Sequence, residues 1–107
     1  MLKKSSSKKI PRWLQPILWS VDVTNLDLKK DKVYIINQIL AYGGLEELRW
    51  LFKNYPKKTI KEVFLKKPSK VYTKQSLNFV KEVLLELSNK KLDPYKYDQS
   101  LPRIIRS

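Results

Sequence analysis

From Asp31 to Leu87 the apolar residues return every three or four positions, the repeat of α-helices with one buried side. Val33, Ile36, Ile39 and Leu40 mark the first stretch, with Ile35 and Tyr42 beside them. Asp31 stands at its expected N-cap, where a carboxylate can accept first-turn amides. Gly43-Gly44 then interrupts the pattern, because glycine readily takes the positive φ that ends helices. Leu45, Leu48, Leu51, Phe52 and Tyr55 form a second face, with Trp50 alongside, and Pro56 stops it. Thr59-Ile60-Lys61-Glu62 has the form of a capping box and predicts a short helix burying Ile60, Val63 and Phe64, closed by Pro68. Thr73 is expected to cap the last long helix, with a stripe of Leu77, Val80, Val83, Leu84 and Leu87 reinforced by Phe79, ending at Ser88-Asn89.

The flanks are less regular. Pro11 opens a helical turn through Trp13, Leu14, Ile17 and Leu18. Trp19 to Val23 alternates briefly and reads as an extended linker packed on the core by Trp19, Val21 and Val23, since one short strand makes no sheet. The predicted fold class is all-α: a compact bundle of four to five short helices with a helix-turn-helix-like C-terminal pair. Residues 1–10 form a flexible basic arm, 11–89 a single helical domain and 90–107 a C-terminal tail. In that tail Tyr95, Tyr97, Leu101, Ile104 and Ile105 are spaced by Lys, Asp, Pro and Arg, a composition that suits either ordering on a partner or folding back on the domain.

Composition narrows the chemistry. The 107 residues include no cysteine and no histidine, which excludes disulfides, thiol nucleophiles, Cys/His zinc sites and imidazole catalysis. Two glycines make no phosphate-cradling loop, and the carboxylate pairs Asp22/Asp27, Glu46/Glu47 and Glu82/Glu86 offer no nucleophile–base couple, so no enzyme, cofactor or metal site is expected. No apolar run reaches signal or membrane-span length, and a cytoplasmic location without membrane association is expected. The formal net charge of +13 rests largely on lysine, a residue that AT-rich genomes enrich in unrelated proteins. Its distribution is nonetheless uneven: residues 53–74 hold eight lysines against the single acid Glu62.

That unevenness frames the binding candidates. Thr59 to Asn89 has the outline of a helix-turn-helix, with Lys74, Gln75, Asn78 and Lys81 sharing the outer side of the second helix. Lys, Gln and Asn are residue types that read base edges in a major groove, and Lys66, Lys67 and Lys70 would meet backbone phosphates of double-stranded DNA. Lys57, Lys58 and the amides of a helix starting at Thr59 are the pieces of an anion site. Trp13, Trp19 and Trp50, flanked by Leu14, Leu18, Leu51 and Phe52, are expected in the core rather than as stacking platforms.

Leu18-Trp19-Ser20-Val21-Asp22, the run Tyr42-Gly43-Gly44-Leu45-Glu46-Glu47-Leu48-Arg49-Trp50-Leu51-Phe52, and Leu77-Asn78-Phe79 together resemble a family of small bacterial domains of unknown function. Members commonly read Phe-Trp-Asp-Val-Asp, then Tyr-Gly-Asp-Leu-Glu-Asp-Trp-Arg-Trp-Leu-Phe, then Asn-Phe-Trp; here Ser20, Gly44 and Leu48 depart from the pattern. The resemblance covers about residues 17–80. Such domains are often encoded beside nucleotidyltransferase-like toxins of the abortive-infection type, so the resemblance implies an antitoxin that binds such a toxin. Arg49 and Trp50, with Tyr95, Tyr97, Ile104 and Ile105 of the tail, are then the expected partner contacts, and promoter binding through the Lys74–Lys81 face would add autoregulation. The alternative is a stand-alone basic DNA-binding protein.

Overall fold

Six consecutive residues, Ile35 to Leu40, are buried on α1 (Lys32–Tyr42). A helix buried all round must have neighbours on every side, and α2 (Leu45–Asn54), α3 (Lys57–Lys66) and α4 (Lys74–Phe79) all pack on it. A short α5 (Pro94–Tyr97) completes five helices in this computed structural model, which describes residues 10–87 and 90–101. Among those residues there is no strand, only a bridge between Tyr72 and Asp98. The all-α expectation holds, and α3 and α4 meet through α1 rather than chiefly against each other.

Two buried amides on α1 tie the layers together. Asn37 donates from Nδ2 to the Val33 and Lys67 carbonyls (2.9 and 3.0 Å) and accepts the Tyr72 hydroxyl at 2.7 Å. Gln38 donates to the Ile17 carbonyl at 3.1 Å, holding the N-terminal turns (3-10 helices at Arg12–Leu14 and Val23–Asn25) on the helix. A buried amide is costly unless its groups are bonded, and these anchor elements far apart in the chain.

Several local expectations are corrected. Asp31 sits at the N-cap position of α1 but makes no capping bond; Oδ2 instead accepts the Asp27 amide at 2.8 Å. Gly43 and Gly44 have φ of −74° and −91°, so neither supplies a positive φ. There is no capping box at Thr59, because Pro56 is the N-cap and α3 begins at Lys57. Proline presets an extended cap and needs no amide, which moves the start upstream. Thr73 does cap α4: its hydroxyl accepts the Ser76 amide (3.0 Å), and Ser76 Oγ accepts the Thr73 amide (2.8 Å).

The last long helix departs most. After Phe79 it widens into a π-helical turn, Val80–Leu84, closed by Leu85 N–H donating to the Val80 carbonyl at 2.9 Å. The wider turn brings Leu85 into the core in place of Val83, leaving Phe79 (45%) and Val83 (60%) exposed. Glu86, at φ 54°, ends it before Ser88.

The chain from Lys90 to Leu101 folds back on the domain, so its ordering does not await a partner. Asp93 caps α5 by accepting the Tyr95 amide at 3.0 Å. Tyr72 and the tail then exchange bonds, Tyr72 N–H to Tyr97 carbonyl (2.9 Å) and Gln99 N–H to Tyr72 carbonyl (2.8 Å). Tyr97 buries its ring with Phe64 and Tyr72, centroids 4.9 and 5.8 Å away, and its hydroxyl donates to the Phe64 carbonyl at 2.6 Å. Ile10, assigned to the arm, is buried in the core, whereas residues 1–9 lie outside the described residues.

Candidate interaction surfaces

The N-terminal turns present aromatics outward. Gln15 pins this segment: Oε1 accepts the Val23 amide (2.9 Å), while Nε2 donates to the Leu18 and Val21 carbonyls (2.8 and 3.0 Å). Asp22 accepts the Thr24 amide and hydroxyl, and these bonds, aided by the Arg12 charge, hold its carboxyl below the usual carboxylate range. On this pinned frame Leu14, Leu18 and Val23 point inward. Trp19 does not: it is 55% exposed, its ring edge-on to Tyr42 at 4.7 Å. Trp13 (49%), Val21 and Leu45 are exposed too, correcting the core assignment of Trp13, Trp19 and Val21. Trp50 is half-buried against the core, edge-on to Tyr55 at 6.5 Å.

The expected DNA-reading face of α4 looks onto the returning tail. Lys74, Asn78 and Lys81 line a groove of about 490 Å³ with Leu92, Pro94, Asp98 and Leu101. Lys70 is engaged there, Nζ donating to the carbonyls of Tyr95 (2.9 Å) and Asp98 (2.8 Å) instead of facing a phosphate. The Asp98 carboxylate accepts the Ser100 hydroxyl and amide (2.7 and 2.9 Å); those bonds, with Lys70 and Lys74 nearby, lower its pKa. Gln75 is exposed. Lys74 and Asn78 are exposed as well, and Lys81 is half-buried at the edge of the groove.

A second group of lysines gathers around α3. Opposite its buried Ile60, Val63 and Phe64 stands Lys58, with half-buried Lys61 on one flank and exposed Lys66 on the other. One shallow groove is lined by Lys57, Lys58, Lys61, Glu62, Leu65 and Lys66, and another by Lys32, Glu62, Val63, Lys66 and Lys67. A third, at the start of α3, includes Lys29, Lys32 and Thr59.

Among the expected partner contacts, Arg49 and Tyr95 are exposed, whereas Tyr97 is 2% exposed and belongs to the core, so it is withdrawn from the partner set. Ile104 and Ile105 lie outside the described residues. The carboxylates have structural tasks: Glu47 accepts the Gly44 amide (2.6 Å), Asp27 accepts those of Lys29 and Lys30 (both 2.8 Å), and Glu86 pairs with Lys57 (3.2 Å). Among the described residues no cluster of three His, Cys, Asp or Glu side chains could hold a metal ion, and no helix is long and apolar enough to cross a membrane.

The match to a family model covers the aromatic turns, α1, α2 and most of α3. Residues 13–64 match the model of DUF6922, a family of unknown function. No curated protein and no solved structure matches the chain. The matched segment contains both the Leu18–Asp22 and Tyr42–Phe52 motifs and stops before Leu77-Asn78-Phe79. Trp13, Trp19, Val21 and Leu45, large exposed apolar side chains among the described residues, all fall within it.

Proposed function

We propose that this protein is an antitoxin-like, non-catalytic interaction module that binds and neutralises a nucleotidyltransferase-type toxin. The observation that carries a binding role is Trp19, half exposed, braced on Tyr42 and held by a loop whose backbone is bonded to Gln15 and Tyr34. A preordered exposed tryptophan gives an interface large contact area at little entropic cost, and tryptophan is enriched among binding hot spots. Trp13, Val21, Leu45 and exposed Arg49 extend the apolar and cationic surface of the same domain. The toxin class is what the Trp19–Asp22 and Tyr42–Phe52 motifs imply by resemblance.

Recovery of the tagged full chain from nuclease-treated lysate of its native host tests this. The expected result is a stoichiometric nucleotidyltransferase-type protein identified by mass spectrometry. Trp19→Ser should weaken that complex by roughly 30-fold or more, the scale of a hot-spot residue, with unchanged circular dichroism, while Val83→Ser leaves it intact. Recovery of nucleic acid alone, or a complex indifferent to Trp19, rejects the reading.

A further inference from the structure

We propose that the lysine ridge of α3 is a second binding surface, which grips the phosphate backbone of double-stranded nucleic acid without reading its sequence. This goes beyond the toxin-binding role and does not rest on it. Lys58 and Lys66 are exposed on a ten-residue helix with half-buried Lys61 at its other flank, and Lys32 and Lys67 lie beside it. Glu62 is the one acid lining these two grooves. The pairs Lys66–Glu62 (3.7 Å) and Lys57–Glu86 (3.2 Å) are solvent-exposed, and such pairs are weak enough to yield to phosphate. Lys32, Lys58, Lys61 and Lys67 have no carboxylate within ion-pair range among the described residues.

The occupant follows from what surrounds the lysines. A protein interface needs a desolvated apolar centre; the outer side of α3 has only half-buried Leu65. Single strands need aromatic platforms beside the basic groove. Trp19 rests on Tyr42, the last residue of α1, whereas Lys32 is the first; at 1.5 Å per residue they are about 15 Å apart along the axis. Arg, Asn and Gln, whose planar groups make two-point contacts with base edges, are absent from α3, and its lysines act as point charges. Lys58, Lys61 and Lys66 span about 12 Å along the helix axis and fan over its outer half, which suits the curved surface of a duplex, with one charge per ~1.7 Å of its axis.

The test measures fluorescence anisotropy of a labelled random-sequence 20-base-pair DNA duplex, titrated with the full chain across a salt series. Lys58→Ala/Lys61→Ala/Lys66→Ala should weaken binding roughly tenfold or more, and make the log–log salt slope shallower by about 2.7, near 0.9 for each phosphate no longer neutralised. Lys74→Ala/Lys81→Ala should leave both unchanged. The glutamine triple variant, checked by circular dichroism, should repeat the alanine result. The proposal is overturned if the wild type does not bind the duplex, if the slope survives removal of the three lysines, if a single strand of the same composition binds more tightly, or if a poly-glutamate peptide binds with equal affinity.

Discussion

A methyl group at position 43 has nowhere to go. A Cβ on Gly43 would stand 2.6 Å from the Ile39 carbonyl oxygen and 3.0 Å from both Glu47 Cβ and Ile39 Cγ2. Close approach of the turn to the last turn of α1 and to Glu47 of α2, not backbone handedness, requires this glycine. At Gly44 the nearest atom is Glu47 Oε1 at 3.1 Å, the far end of a side chain that can swing away. Gly43→Ala should therefore destabilise by about 1–3 kcal/mol and Gly44→Ala by about 1 or less, read as urea midpoints at constant slope; equal shifts would refute the close-approach account. Asn37 is the other decisive residue. Asn37→Ala strands the buried Tyr72 hydroxyl and the Lys67 carbonyl, an expected loss of about 2–4 kcal/mol in the same assay. Asn37 and Gln38 are illegible as buried residues in the sequence, because polar side chains signal exposure until their partners, 30 and 21 positions away, are known.

At the scale of elements, the helical spacing locates α1, α2 and α3 to within a few residues, because α1 and α3 bury apolar side chains at three- and four-residue intervals and α2 sets Leu48, Leu51 and Phe52 against the core. Leu45 of the expected face stands exposed. The π turn escapes such a reading: nothing in Val80–Leu84 marks an extra residue, and the periodicity simply runs on to Val83. Leu85→Ala should cost about 2–5 kcal/mol, as truncating a fully buried leucine does. Val83→Ser should stay within about 0.5 kcal/mol. A regular α-helix would reverse that order, so thermal unfolding of the two variants decides the register.

For the whole molecule, the tail is where the sequence misleads most. Tyr97 looks like a ligand-seeking aromatic among charges, yet it closes the core with Phe64 and Tyr72. Trp13 and Trp19 look like core and stand outside. Side-chain type ranks burial on average; packing against a distant segment settles it. The basic run at 53–74 is legible as charge, but the engagement of Lys70 by the tail, which sets it apart from the lysines of α3, needs the fold. Tyr97→Ala should cost about 3–5 kcal/mol, seen as an earlier single transition in calorimetry. Stability should also fall at both extremes of pH. Asp22, Asp27 and Asp98 titrate below their unfolded values, so their stabilisation is full above about pH 4 and is lost as pH drops further. Burial pushes the Tyr97 phenol up to about 12 and raises Tyr55 and Tyr72 as well; their neutral forms stabilise the fold below about pH 10, and this is lost as pH climbs through the raised values. Urea titrations from pH 2 to 12 should trace that plateau, with Asp98→Asn flattening its acid limb and Tyr97→Phe its alkaline one.

The widened turn at Val80–Leu84 has a bearing on how this chain can change length. A π turn is an α-helix carrying one surplus residue. Removing solvent-facing Val83 would set Leu85 four places after Val80, the interval an ordinary helix needs to keep both inside. A one-residue deletion at that point, ruinous in most helices, is here the edit that restores regular winding.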